Sequence, residues 1–253
     1  MKRISLLFCA LVAMSTVMYG AKKKQPKQQL WPDGSVMSEW FSDTTKVDVE
    51  TLGKKYVITE YGVGMDSTVV QTAKIQAVID KAAQMGGGVV VVPKGTFLSG
   101  SLFFKQGTHL YIEEGGKLKG SERIADFKIA ETRIEGQTCK YFTALVNADG
   151  IDGFTIAGKG TIDGGGNNDT FWQWNGSPRF GYKEGVTKES QKLGSRSKLL
   201  KMAEDGVPFD ERKFGMGYGL RPQLVNMVHC ERILIKDVKM INSPFWVIHP
   251  LLS

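Results

Sequence analysis

Few residues in this chain are typed and spaced to do chemistry. Its histidines are His109, His229 and His249, far apart, and its cysteines are Cys9, Cys139 and Cys230. The spacing of Cys139 and Cys230 fits neither a zinc site nor a disulfide-rich scaffold, so no metal is expected, and no cofactor either. Cys230 opens a stretch that reads as buried, where a small core residue is its plain role. One bridge between the two stays open, because an exported chain meets oxidising conditions. Acid–base work needs carboxylates held close together, yet no Asp-Asp pair occurs. Asp163 lies in Gly160-Thr-Ile-Asp-Gly164, where Asp commonly forms turns. Arg221 could grip a carboxylate with two parallel N–H bonds, or simply anchor the end of a long loop. Trp246 and His249 follow a turn, where they could face a ligand or fill an interior.

These residues sit among short apolar strands that repeat. Leu110-Tyr-Ile112 with Gly116-Lys-Leu118 is matched 44 residues later by Phe154-Thr-Ile156 with Gly160-Thr-Ile162. Ile233-Leu-Ile235 with Val238-Lys-Met240 repeats the pair with one residue fewer between its strands. Read as twice 22, the interval implies a solenoid whose coils bury apolar faces only against their neighbours. One helix precedes the coils. Thr68 and Gln71 read as a capping box, Ile75, Val78, Ile79 and Ala82 form the apolar stripe, and Gly86-Gly-Gly88 ends it. Such a helix would cover the first rung and block edge-to-edge pairing. Val89 to Val92 reads as a strand covered on both faces.

Residues 1–21 read as a signal peptide: Lys2 and Arg3, then an apolar run from Ile4 to Tyr19 that is too short to suggest an anchor. A secreted or periplasmic product with no membrane span is therefore expected. Residues 22–58 form a polar lead-in, and residues 59–253 the repeat domain. Residues 164–217 make a long excursion without strand pattern, carrying Trp172 and Trp174. The formal charge of +7 is concentrated at the start, in Lys2, Arg3, Lys22, Lys23, Lys24 and Lys27. The body is near neutral, which argues against a nucleic-acid partner. The sequence does not indicate an oligomeric state.

Several motifs together resemble a known family. Tyr61-Gly-Val63, the helix, Pro93-Lys-Gly95 and Leu98-Ser-Gly-Ser-Leu102 look like the N-terminal cap and first coil of pectinase-type parallel β-helix enzymes. More specific are Phe104-Lys-Gln-Gly-Thr108, Arg133-Ile-Glu-Gly136, Ala144-Leu-Val-Asn-Ala148 and Gly160-Thr-Ile-Asp-Gly164. With Arg221-Pro222 and Asn242-Ser-Pro-Phe-Trp246-Val-Ile-His249-Pro250, these are similar to bacterial family 28 glycoside hydrolases, the polygalacturonase family. The resemblance implies an all-β fold: a right-handed parallel β-helix with an N-terminal capping α-helix.

It also implies hydrolysis of pectic, galacturonic-acid-containing polysaccharide or oligogalacturonide with inversion, by one acid and one base on opposite faces of the bond. The family carries these in an Asn-x-Asp motif and an Asp-Asp pair, followed by Gly-His-Gly and Arg-x-Lys. None stands here in that context, and Arg196-Ser-Lys198 matches by letters only. The expectation is a C-terminally truncated chain without catalytic residues, inactive alone. Arg221, Trp246 and His249 remain as substrate-binding candidates: a guanidinium for a uronate carboxylate, an indole for a sugar face, and an imidazole for a carboxylate. Asn242 is read as laddering with neighbouring turns; Asp163 and Asp169 are the available stand-ins for the acids, with Asp163 read instead as a turn former in its Gly-rich turn. The alternative is a non-catalytic β-helix, carbohydrate-binding or surface-attaching. A calcium-dependent lyase is disfavoured, since no cluster of Asp residues is seen.

Overall fold

The computed structural model describes residues 29–187, 190 and 194–253. The expected signal peptide lies outside the described residues. The chain divides into two units, residues 1–45 and 46–253. In the first, Leu30 bridges to Val36, and the Phe41 ring meets Trp31 edge-on at 4.8 Å and stacks on Trp40 at 3.7 Å.

The second unit is a stack of coils, each built from three short strands. The first holds β2 (Gly88–Val92), β3 (Gly95–Ser99) and β4 (Leu102–Phe103). The second holds β5 (Thr108–Ile112), β6 (Gly116–Gly120) and, after a hairpin of β7 (Ile129–Ile134) and β8 (Gln137–Phe142), β9 (Val146–Asp149). The third holds β10 (Thr155–Ala157), β11 (Thr161–Asp163) and, after an excursion with α2 (Ser195–Glu204) and β12 (Lys213–Phe214), β13 (Val225–Val228). The fourth holds β14 (Leu234–Lys236), β15 (Lys239–Ile241) and β16 (Ile248–Leu251). Successive coils pair in parallel to make three sheets, and β1 (Lys55–Val57) extends the first.

Apolar rows run along the interior because a parallel ladder sets like positions one above another. Val90, Leu110, Ile156 and Ile235 align in the first sheet, and Phe97, Leu118, Ile162 and Met240 in the second. Val89 to Val92 is buried throughout, as a strand covered on both faces must be. Turns between coils are tight. Gly158 has φ +108, and a Cβ there would drive into the Ile112 carbonyl of the coil before.

The 44-residue interval is one coil, not two of 22, because the β7–β8 hairpin is inserted within it. Register follows the interval in the second sheet, where Leu118 faces Ile162, but slips by two in the first, where Ile156 faces Leu110 rather than Ile112. A slip of two keeps the same residues inward. The slip arises because the connection from first to second strand shortens after the second coil, from Leu110–Leu118 to Ile156–Ile162 and then Ile235–Met240.

The helix α1 (Thr72–Gln84) buries the expected stripe of Ile75, Val78, Ile79 and Ala82, and Gly86 takes φ +92 past its end. It begins after the expected capping box. Thr68 bonds Asp66 instead, and Gln71 gives its N–H to the Leu98 carbonyl, since this stretch joins the edge of the second sheet. The Thr72 hydroxyl meanwhile takes the Gly100 N–H at 2.6 Å. Gln76 closes the edge of β4, accepting the Phe103 N–H at 2.8 Å and donating to the Phe103 carbonyl at 2.9 Å. The excursion, read as having no strand pattern, contains α2 and one short strand, β12, which pairs with β8. Cys139 and Cys230 are both free and buried, so the bridge left open above is not formed. Burial pushes the Cys139 thiol up to about 12.

Two measurements test this account. Gly158→Ala meets both a positive φ and a backbone oxygen, so it should lower stability by about 2 kcal/mol or more in denaturant unfolding. His109 Nδ1 accepts the Thr155 N–H at 3.2 Å, which requires a neutral ring, and burial lowers its pKa. The unfolded chain would then bind the proton first. Stability should be full above about pH 6.5 and fall as pH drops from there through the folded-state pKa. A thermal melt taken across pH checks the slope, which His109→Gln should flatten.

Candidate substrate cleft

The outward row of the third sheet runs Asn147, Asn226, His249, one residue per coil. Alternation along each strand sends Val146, Ala148, Val225 and Met227 into the core and this polar row outward. Asn147 is spent on its own turn, bonding Ala144 N–H and carbonyl and the Leu102 carbonyl. Asn226 reaches in two directions. Its Nδ2 donates to Thr132 Oγ1 of the hairpin at 3.1 Å, and its Oδ1 lies 2.9 Å from His249 Nδ1. One buried carboxamide thus ties the hairpin to the fourth coil.

The three residues singled out from sequence are brought together by a fourth, Phe245. The Arg221 guanidinium sits 4.9 Å over the Phe245 ring, Phe245 stacks on Trp246 at 4.8 Å and 14°, and Trp246 lies 4.9 Å from His249. Arg221 is buried, donates through Nη1 to the Pro244 carbonyl at 3.1 Å, and keeps its buried Nε without a partner. Burial lowers its pKa, so a nearby anion would relieve a real desolvation cost. Trp246 is 41% exposed, enough to offer an indole face. His249 is only 5% exposed, and burial, then the Arg133 charge, lowers its pKa.

Beside this column lies an open cavity of about 430 Å³, lined by Trp172, Asn175, Phe180, Arg221, Phe245 and Val247. Trp172 pins its far wall by donating to the Ser243 carbonyl at 2.8 Å. Trp174 packs inward on Phe171, as an anchor for the excursion. Asn242 takes φ +51 and donates to Asp163 of the neighbouring coil at 3.0 Å, the laddering role read for it. Asp163 is buried and also accepts the Gly165 N–H at 3.1 Å, so it is a turn anchor. Asp169 is exposed on the excursion, its backbone held by Asn167 and Gln173. No group of three or more His, Cys, Asp or Glu that could hold a metal occurs among the described residues. Nor, among these residues, is any helix long and apolar enough to cross a membrane.

Comparison with known proteins gives the relationship. No family model matches the chain. Over 145 residues it is 30% identical to an exo-poly-alpha-D-galacturonosidase of Dickeya chrysanthemi, covering 54% of this chain and 23% of that one. A hyperthermoactive exopolygalacturonase from Thermotoga maritima superposes with TM-score 0.74 at 34% identity, over 79% of this chain and 44% of its own. The chain is related to the family 28 polygalacturonases. A family 28 exopolygalacturonase of Yersinia enterocolitica, at 21% identity and TM-score 0.56, shares the fold over 89% of this chain and 41% of its own. The chain spans less than half the length of these relatives.

Sequence reading missed Asn226, Thr132 and Phe245. Phe245 stood within the family motif beside Trp246, whereas Asn226 and Thr132 meet only through coil stacking. Asn226→Ala should strand a buried imidazole nitrogen and the Thr132 hydroxyl, costing about 1–3 kcal/mol in chemical unfolding. An unchanged unfolding midpoint would remove Asn226 from this role.

Proposed function

We propose that this chain forms the N-terminal scaffold and part of the substrate cleft of a glycoside hydrolase acting with inversion on galacturonic-acid-containing pectic polysaccharide. The observation that carries this is the Arg221–Phe245–Trp246–His249 column, which sets a cation one aromatic ring away from an exposed indole, next to the open cavity that Arg221 and Phe245 line. Sugar rings stack on aromatic faces, and a uronate adds a carboxylate that a desolvated guanidinium binds strongly. In this reading Arg221 meets the carboxylate and Trp246 the ring. The coils wind right-handed, as parallel crossovers nearly always do. Residues 1–21 direct export to the periplasm or outside the cell, residues 22–58 lead in, and residues 59–253 form the helix domain.

Inverting hydrolysis needs two carboxyl groups roughly 6.5–9.5 Å apart across the bond. This sequence has no Asp-Asp pair and no Gly-His-Gly, and in its coil-borne Asn-x-Asp, Asn147-Ala-Asp149 of β9, Asn147 is spent on its own turn and Asp149 is exposed. Its one buried Asp of the second and third sheets, Asp163, is occupied by Asn242 and Gly165. The 253-residue chain is therefore inactive alone, while holding part of the binding surface. The purified chain should release no reducing sugar from polygalacturonate, yet bind oligogalacturonides in a titration. Measurable turnover would overturn the first half, and absence of binding the second.

A further inference from the structure

His249 is the least exposed of the candidate residues, and its surroundings dictate what it can offer a ligand. Asn226 Nδ2 is committed to Thr132 Oγ1 at 3.1 Å, so the carboxamide turns its oxygen toward His249 Nδ1 at 2.9 Å. An amide oxygen only accepts. Nδ1 must then carry the proton, and in a neutral ring the lone pair falls on Nε2. Nε2 makes no hydrogen bond among the described residues, and it is not among the polar atoms sealed from solvent. The exposed Trp246 ring lies 4.9 Å away. Thr132 is followed by Arg133 on β7, so the hairpin that orients the imidazole also brings a guanidinium near it.

We propose that His249 reads a sugar hydroxyl rather than a carboxylate: a neutral imidazole, fixed as the Nδ1–H tautomer by Asn226 and Thr132, accepts the hydroxyl proton in a hydrogen bond at Nε2. Burial and the Arg133 charge both oppose the imidazolium, which agrees with the neutral form. Thr132 and Asn226 act as positioning residues, since neither needs to touch the ligand. The proposal rests on the pectic-saccharide reading above and divides its labour. The carboxylate falls to Arg221, and a hydroxyl of the ring beside Trp246 falls to His249.

The test has two arms. Nitrogen-15 NMR of the imidazole in the full chain, without ligand, should show His249 neutral with its proton on Nδ1 at pH 7. Thr132→Val, which frees the Asn226 amide to turn, should give a mixture of tautomers without unfolding the chain. A charged ring, or a proton on Nε2 in the parent chain, overturns the proposal whatever binds. In the second arm, calorimetric titration with trigalacturonate compares His249→Gln, His249→Lys and His249→Phe, each checked by thermal melt. Gln keeps an acceptor and should bind within a few-fold of the parent. Lys and Phe lack one and should bind about tenfold more weakly. Retention or gain by His249→Lys would show that a cation serves there, and overturn the proposal. If the parent chain itself fails to bind trigalacturonate, the pectic reading falls, and the tautomer is still decided by the first arm.

Discussion

The strands of the coils depend on the parallel ladders to the neighbouring coils. A coil of three short strands has no partner within itself, so its N–H and C=O groups are satisfied only by stacking. Stacking also sets like residues over like, which is why Val90, Leu110 and Ile156, or Phe97, Leu118 and Ile162, become continuous apolar rows. The close approach at Gly158 has the same origin: turns one above another leave no room for a side chain.

That constraint leaves one kind of freedom. A coil keeps its register if extra residues leave and re-enter at a corner, and both the β7–β8 hairpin and the longer excursion do so between second- and third-sheet strands. Their bulk therefore gathers beside the third sheet. Residues remote in sequence then meet: Thr132 with Asn226, Trp172 with Ser243, Arg221 with Phe245. The cleft is a product of insertions that the ladder tolerates, and its polar row comes from the ladder itself.

How much of this could be read in the sequence follows from the range of each interaction. The α1 stripe, Val89 to Val92 and the coil glycines are local patterns and were legible. The repeat was legible as a spacing but not as a count, because a hairpin of ordinary length hides within an interval that also divides by two. The capping box failed because Gln71 found a better backbone partner in Leu98, a tertiary choice that no local signature encodes. Arg221, Trp246 and His249 could be named, yet their joining through Phe245 and the orientation of His249 through Asn226 required the stack to be built.

Gln76 shows how a structure of this type begins. Its carboxamide copies a peptide group, giving one donor and one acceptor to Phe103 at the open edge of β4. A true strand would present a further edge on its other side, inviting the next molecule to add as a rung. A side-chain amide on a helix has no such second edge. It acts as a terminating unit does in a growing polymer: its remaining N–H turns back to Asp80 on the same helix, so that the same hydrogen bonding that builds the coils does not run on between molecules at this edge.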